Sequence, residues 1–290
     1  TSPALSAAGD KMEDVATSLL SSGFVGRGFE LQALSSALAD AAEGQTSAVL
    51  LGGEAGVGKS RLIQEFADEA TAKGARLIVG QCVELGGNGL PFAPIAGALR
   101  DLAGQLGGEH LLELAGPGGS ILPTLLPELG ESLDALSDGQ GRLFEVVTVL
   151  LERASVERPL VFVVEDLHWA DASTRDLLRF AIRALDGARV MIIASYRSDE
   201  VHRRHPLRPF LAELDRVRAV RRLDVPRLTR EEVGEQLAGI LGTRPSPEVI
   251  GKVFKRSEGI PFFVEELARA ERDGHPGGLP DSLRDLLLVR

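Results

Sequence analysis

An apolar run, Ala48-Val49-Leu50-Leu51-Gly52, leads straight into Gly53-Glu54-Ala55-Gly56-Val57-Gly58-Lys59-Ser60, after which residues 60–72 return to helical periodicity through Leu62, Ile63, Phe66 and Ala70. The octapeptide fits G-x-x-x-x-G-K-[ST], and it stands where that pattern has structural meaning, between a strand and the helix it opens. Glycines let main-chain N–H groups converge on an anion without Cβ clashes, and the helix amino end adds partial positive charge. Lys59 would neutralise the outer oxygens of a polyphosphate, and the Ser60 hydroxyl would ligate Mg²⁺. Arg61, next along the helix, belongs to the same binding segment. The chain has only five lysines, so one at this position is hard to ascribe to chance. The expected ligand is ATP or ADP with Mg²⁺.

Such a loop needs a carboxylate from a neighbouring strand to hold the ion. Leu160-Val161-Phe162-Val163-Val164 reads as a buried strand, and Glu165 and Asp166 follow it, at the carboxyl end where open α/β sheets bind ligands. One acid would serve the metal and the other could orient the attacking water; the residues alone do not say which.

Short apolar runs at 48–52, 76–82, 160–164, 190–195 and 219–223 alternate with helical periods at 29–42, 60–72, 94–106, 140–154 and 173–185. Ser173, with Asp176 three residues on, is expected to open the last of these helices. The pattern predicts an α/β fold, a three-layer P-loop NTPase core with a parallel sheet. Residues 85–141 are dense in Gly, Pro and Leu and read as a helical insertion, with a further helical stretch near 121–136. The alternation stops at about Pro226. Thr229 and Glu232 form a capping box there, and helices at 247–257 and 262–272 complete an all-helical lid. The expected domains are therefore a weak leader at 1–22, the nucleotide-binding domain at 23–225, the lid at 226–275, and the start of a following domain at 276–290.

The 290 residues carry a formal net charge of -10, which argues against nucleic acid as the main ligand of this segment. Arg203, Arg204, Arg216, Arg218, Arg221 and Arg222 read as a solvated basic face. The single cysteine, Cys82, excludes an internal disulfide and fits a reducing cytoplasm. Asp10, Lys11 and Glu13 interrupt any signal peptide, and no apolar run is long enough to cross a membrane.

Four further segments flank these motifs in a fixed order. They are Phe24-Val25-Gly26-Arg27-Gly28-Phe29-Glu30-Leu31, Val164-Glu165-Asp166-Leu167-His168-Trp169-Ala170-Asp171, Ala194-Ser195-Tyr196-Arg197-Ser198-Asp199-Glu200 and Glu258-Gly259-Ile260-Pro261-Phe262-Phe263-Val264-Glu265-Glu266-Leu267. Together they resemble the nucleotide-binding domain of large LuxR-type ATP-binding transcriptional regulators, of the STAND branch of AAA+-related signalling ATPases. The resemblance covers about residues 23–290. It implies that Val25, Gly26 and Arg27 pack against the adenine, that Arg197, following a strand, reads the γ-phosphate, and that the lid proline Pro261 closes over the base. Read without the resemblance, Arg27 and Arg197 could be surface ion-pair partners and Pro261 could simply start a helix. His168 and Trp169 could pack the strand end, and Asp171 could cap the helix near Ser173.

The resemblance implies a signal-transduction switch, with ADP holding the core against the lid and ATP favouring a self-associated state. Slow hydrolysis of ATP to ADP and phosphate would reset it. DNA would be reached only through a C-terminal domain that lies outside this sequence. The alternative is a turnover ATPase acting as an oligomeric loader or remodeller, with Arg203, Arg204 or Arg208 offered as a finger in trans. A phosphotransferase with its acceptor in the insertion is a third possibility.

Overall fold

The computed structural model describes residues 23–84, 91–131 and 140–272. The segments read at 1–22 and 276–290 lie outside these residues, as does the end of the stretch read at 121–136. The described residues divide into two compact units, one within 28–55 and 59–225, the other within 23–27, 56–58 and 226–272.

The first unit runs α1 (Gly28–Ala42), β1 (Ser47–Gly53), α2 (Lys59–Ala72), β2 (Arg76–Gln81), α3 (Ala93–Leu106), α4 (Gly108–Ala115), α5 (Gln140–Ala154), β3 (Leu160–Glu165), α6 (Ala172–Ala184), β4 (Val190–Arg197), α7 (Leu207–Leu214) and β5 (Val220–Asp224). The strands form one parallel sheet in the order β2-β3-β4-β1-β5. Helices cover both faces, so the interior strands read as unbroken apolar runs and every residue of β1 is buried. Leu50, Ile78, Phe162 and Ile192 point into a core shared with α3, α5, α6 and α7. Residues on the opposite pleat, Val49, Leu51, Val161, Val163 and Ile193, are equally buried, on the side where α1 and α2 pack. This is the three-layer P-loop NTPase core that the alternation of strands and helices implies.

The two sheet edges are protected differently. β5 exposes Arg221 and Arg222, which pair with Asp40 and Asp215, and charge on an edge strand discourages pairing with another chain. β2 is covered by α3. Asp101 accepts the Val79 N–H at 3.3 Å, and Gln105 donates to the Leu77 carbonyl at 2.6 Å, so side chains of one helix satisfy the outer backbone groups of the strand. The approach is possible because residue 80 is glycine: a Cβ there would stand 1.9 Å from the Pro94 carbonyl oxygen.

Several local expectations need correction. The stretch near 121–136 is 3₁₀ over Gly116–Thr124 and again over Pro127–Leu129. Pro123 and Pro127 remove amide donors and the nearby glycines weaken the α form, so the chain buries Ile121 and Leu122 in tighter turns. α4 was hidden by the glycines at its start. α7 was unexpected too, although Leu207, Phe210, Leu211 and Leu214 bury one face at spacings of three and four. Of the two caps offered for α6 the chain uses Asp171 and not Ser173: its side chain accepts the Thr174 N–H at 3.0 Å. Arg197 is the last residue of β4 instead of lying beyond the strand.

The second unit holds α8 (Arg230–Leu241), α9 (Pro247–Ser257) and α10 (Pro261–Arg272). The capping box at Thr229 and Glu232 is present in both directions. Ser246 caps α9, with Pro247 at the first helical position. Leu228, Val233, Leu237, Ile250, Val253, Val264 and Leu267 form its core. No described helix is long and apolar enough to cross a membrane.

Candidate functional site

Parallel strands bring their carboxyl ends to one side of the sheet. Register sets Gly53 of β1 beside Arg197 of β4, and Val164 of β3 beside Ala194 of β4. The glycine-rich loop, the two acids and the arginine therefore leave neighbouring strand ends by construction of the sheet.

The Lys59 side chain is folded back along its own loop. Nζ donates to the Gly53 carbonyl at 2.9 Å and to the Glu54 carbonyl at 3.0 Å. Burial pushes its ammonium below the ordinary lysine value, while Asp166 acts in the opposite direction. A desolvated cation held by two neutral carbonyls is poised to gain from an anion. Ser60, the second residue of α2, donates from Oγ to Glu165 Oε2 at 2.5 Å. Arg61 is half-buried on the next position of the helix. Ala55 N–H points to Asp199 Oδ2 at 3.5 Å, and Ser198 N–H donates to the Gly53 carbonyl at 3.1 Å.

Glu165 and Asp166 face different partners. Asp166 turns off the strand in the left-handed region, with φ 55°, and its N–H donates to Ser195 Oγ at 3.1 Å. Its Oδ1 lies 3.9 Å from Arg197 Nε and 3.9 Å from His168 Nδ1. Among the described residues no group of three His, Cys, Asp or Glu could hold a metal by itself. A serine hydroxyl beside a carboxylate is nonetheless a hard-oxygen pair of the kind Mg²⁺ accepts while retaining water, so the donor set fits the ion.

His168 and Trp169 do more than fill space. The His168 ring is enclosed, and its Nδ1 accepts the Arg197 N–H at 3.4 Å. The Trp169 ring lies 4.6 Å from the imidazole, tilted by 46°, and carries the Arg197 guanidinium 4.8 Å above its own ring. Burial depresses the His168 pKa to about 4, against the pull of Asp166. A histidine whose folded value lies below its free value of 6.5 binds fewer protons folded than unfolded, so stability falls as pH drops from 6.5 towards 4. The expected loss is roughly 2–3 kcal/mol. Urea unfolding from neutral pH down to about 4 checks this, with His168→Asn, which keeps an acceptor for Arg197 N–H, as the reference. Equal acid sensitivity in the two proteins would rule the histidine out as its source.

In the second unit, Val25 and Gly26 precede Arg27, whose backbone is left-handed at φ 68° and whose side chain donates to the Val57 carbonyl at 3.0 Å. Gly56 and Gly58 have φ of 74° and 98°, a conformation that side chains resist. The Gly56 carbonyl accepts the Phe262 N–H at 3.3 Å. Pro261 is the first residue of α10, and its Cγ would stand 4.0 Å from a Cβ at Gly58.

Two neighbours of this network escaped the reading of the sequence. Glu200 pairs with Arg197 at 2.7 Å, and Ser195 receives the Asp166 amide. The i,i+3 spacing of Arg197 and Glu200 was a usable sign of the first; nothing in the sequence marks the second.

The family model described as the AAA ATPase domain matches residues 23–193. A curated relative, an uncharacterised protein of Rhizobium meliloti (strain 1021), is 29% identical over 247 residues, covering 78% of this chain and 23% of its own length. A RuvB variant of Thermotoga maritima is 20% identical with a TM-score of 0.47, covering 86% of this chain and 63% of that one. AMPPCP-bound DnaA from Aquifex aeolicus is 12% identical with a TM-score of 0.47, covering 88% and 64%. The chain thus spans under a quarter of the curated relative and just under two thirds of each solved chain.

Proposed function

The chain belongs to the AAA ATPase domain family, and from that premise we propose that it binds ATP or ADP with Mg²⁺ and acts as a nucleotide-state switch. The observation that carries the reading is the cation and hydroxyl pair on consecutive residues: Lys59 Nζ held by the Gly53 and Glu54 carbonyls, and Ser60 Oγ bonded to Glu165. Lys59 would exchange its carbonyl partners for phosphate oxygens, and the amides of Gly53 to Ser60 would complete the cradle. Ser60 and Glu165 would hold Mg²⁺, leaving Asp166 to orient water. Mg²⁺ held there would offset the negative charge that develops on phosphoryl transfer. Arg197 would meet the terminal phosphate, while Val25, Gly26, Arg27 and Pro261 would surround the adenine.

The finer reading is a STAND switch of the LuxR-type regulators, with slow hydrolysis, self-association in the ATP state, and DNA contacted through a separate reader. A switch needs differential affinity of the nucleotides for two states. Sedimentation of the chain with Mg²⁺ and either ADP or a non-hydrolysable ATP analogue tests this, and larger species are expected only with the analogue. Identical sedimentation in both nucleotides would remove the switch. Turnover well above about one per second would favour the loader or remodeller reading.

A further inference from the structure

Arg197 has an occupied guanidinium. Its Nη1 donates to Glu200 Oε1 at 2.7 Å, and the planar group lies over Trp169. The other carboxylate oxygen of Glu200 lies 3.3 Å from His168 Nε2, without the alignment of a hydrogen bond. His168 in turn accepts the Arg197 N–H. One carboxylate therefore touches both the arginine side chain and the ring that anchors the arginine backbone. The same turn is tied to the glycine-rich loop on its other side, through Ser198 N–H to the Gly53 carbonyl and Ala55 N–H to Asp199. Arg197 and Glu200 are each about one-third exposed, so either side chain can exchange this partner for another without unpacking the core.

A guanidinium paired with a carboxylate can engage a phosphate only by sharing or surrendering that partner. The γ-phosphate of ATP competes with Glu200 for Arg197; ADP offers no group at that position. We propose that Glu200 is a positioning residue that holds Arg197 in reserve and sets how strongly the chain discriminates ATP from ADP. The proposal rests on the reading that Arg197 meets the terminal phosphate. The ion pair is partly solvated, so releasing the arginine from it has a modest effect, about two- to fivefold in affinity.

Titration calorimetry with Mg²⁺ and either ADP or a non-hydrolysable ATP analogue, on the whole chain, tests the proposal in four forms: wild type, Glu200→Gln, Arg197→Ala and the double variant. Glutamine keeps the size of the side chain and an acceptor oxygen, so the turn is retained; near-ultraviolet circular dichroism checks that. Glu200→Gln is expected to tighten the ATP analogue about two- to fivefold and leave ADP unchanged. Arg197→Ala is expected to weaken the analogue relative to ADP, and the gain from Glu200→Gln should vanish in the double variant. An unchanged analogue-to-ADP ratio in Arg197→Ala overturns the terminal-phosphate reading and the proposal with it. A changed ratio there, with no tightening in Glu200→Gln, overturns the proposal alone. Tightening that persists in the double variant also overturns it, because Glu200 would then act by direct repulsion of the nucleotide.

Discussion

Replacing Lys59 by alanine is expected to weaken Mg²⁺–nucleotide binding by about 30- to several-hundred-fold, from loss of a charge-assisted contact of about 2–4 kcal/mol. The side chain is buried and its ammonium is already desolvated, so its attraction to phosphate is screened less than that of a surface lysine. Alanine has good helix propensity at the start of α2, and the Gly53 carbonyl that loses the lysine still accepts the Ser198 N–H, so the fold should persist. Calorimetry with millimolar ADP or ATP analogue reads the loss, alongside the nucleotide that co-purifies with each protein. Wild-type heats in the variant would mean that the loop does not grip phosphate, and the proposed function would have to be abandoned.

Replacing Phe162 by alanine is expected to cost about 3–5 kcal/mol of stability. Phe162 is 1% exposed in β3, and register places it between Ile78 of β2 and Ile192 of β4, both also buried. Removing the ring opens a cavity in a layer whose walls are strands tied on both sides, and tied walls collapse poorly. Urea unfolding followed by far-ultraviolet circular dichroism gives the change. A loss below about 1 kcal/mol would show that α3 and α5 settle into the space, and that the layer is looser than its burial indicates.

Both residues were legible beforehand, for different reasons. Lys59 stands out because the proposed phosphate binding demands glycines, a lysine and a hydroxyl at fixed spacing inside one short segment. Phe162 is legible because a strand buried on both faces must be apolar at every position. The capping box at Thr229 and Glu232 was equally local, since its donors and acceptors lie within four residues of one another. The cap of α6 stayed open between Ser173 and Asp171 because both are competent caps, and which serves depends on where the chain leaves β3. The glycine- and proline-rich stretch was misread as α-helical because its leucine spacing also suits tighter turns once prolines remove the amides.

By itself the sequence determined the alternation of strands and helices, the glycine-rich loop, and the acids that end β3. These depend on local spacing, local sterics and the period of burial, which any segment carries with it. Only the tertiary structure decided that Glu165 bonds Ser60 while Asp166 turns towards Arg197 and His168, that Glu200 holds the arginine, and that α3 seals β2 against Gly80. Those outcomes follow from strand order and register, which bring together residues a hundred positions apart, and no local preference encodes which strand lies beside which.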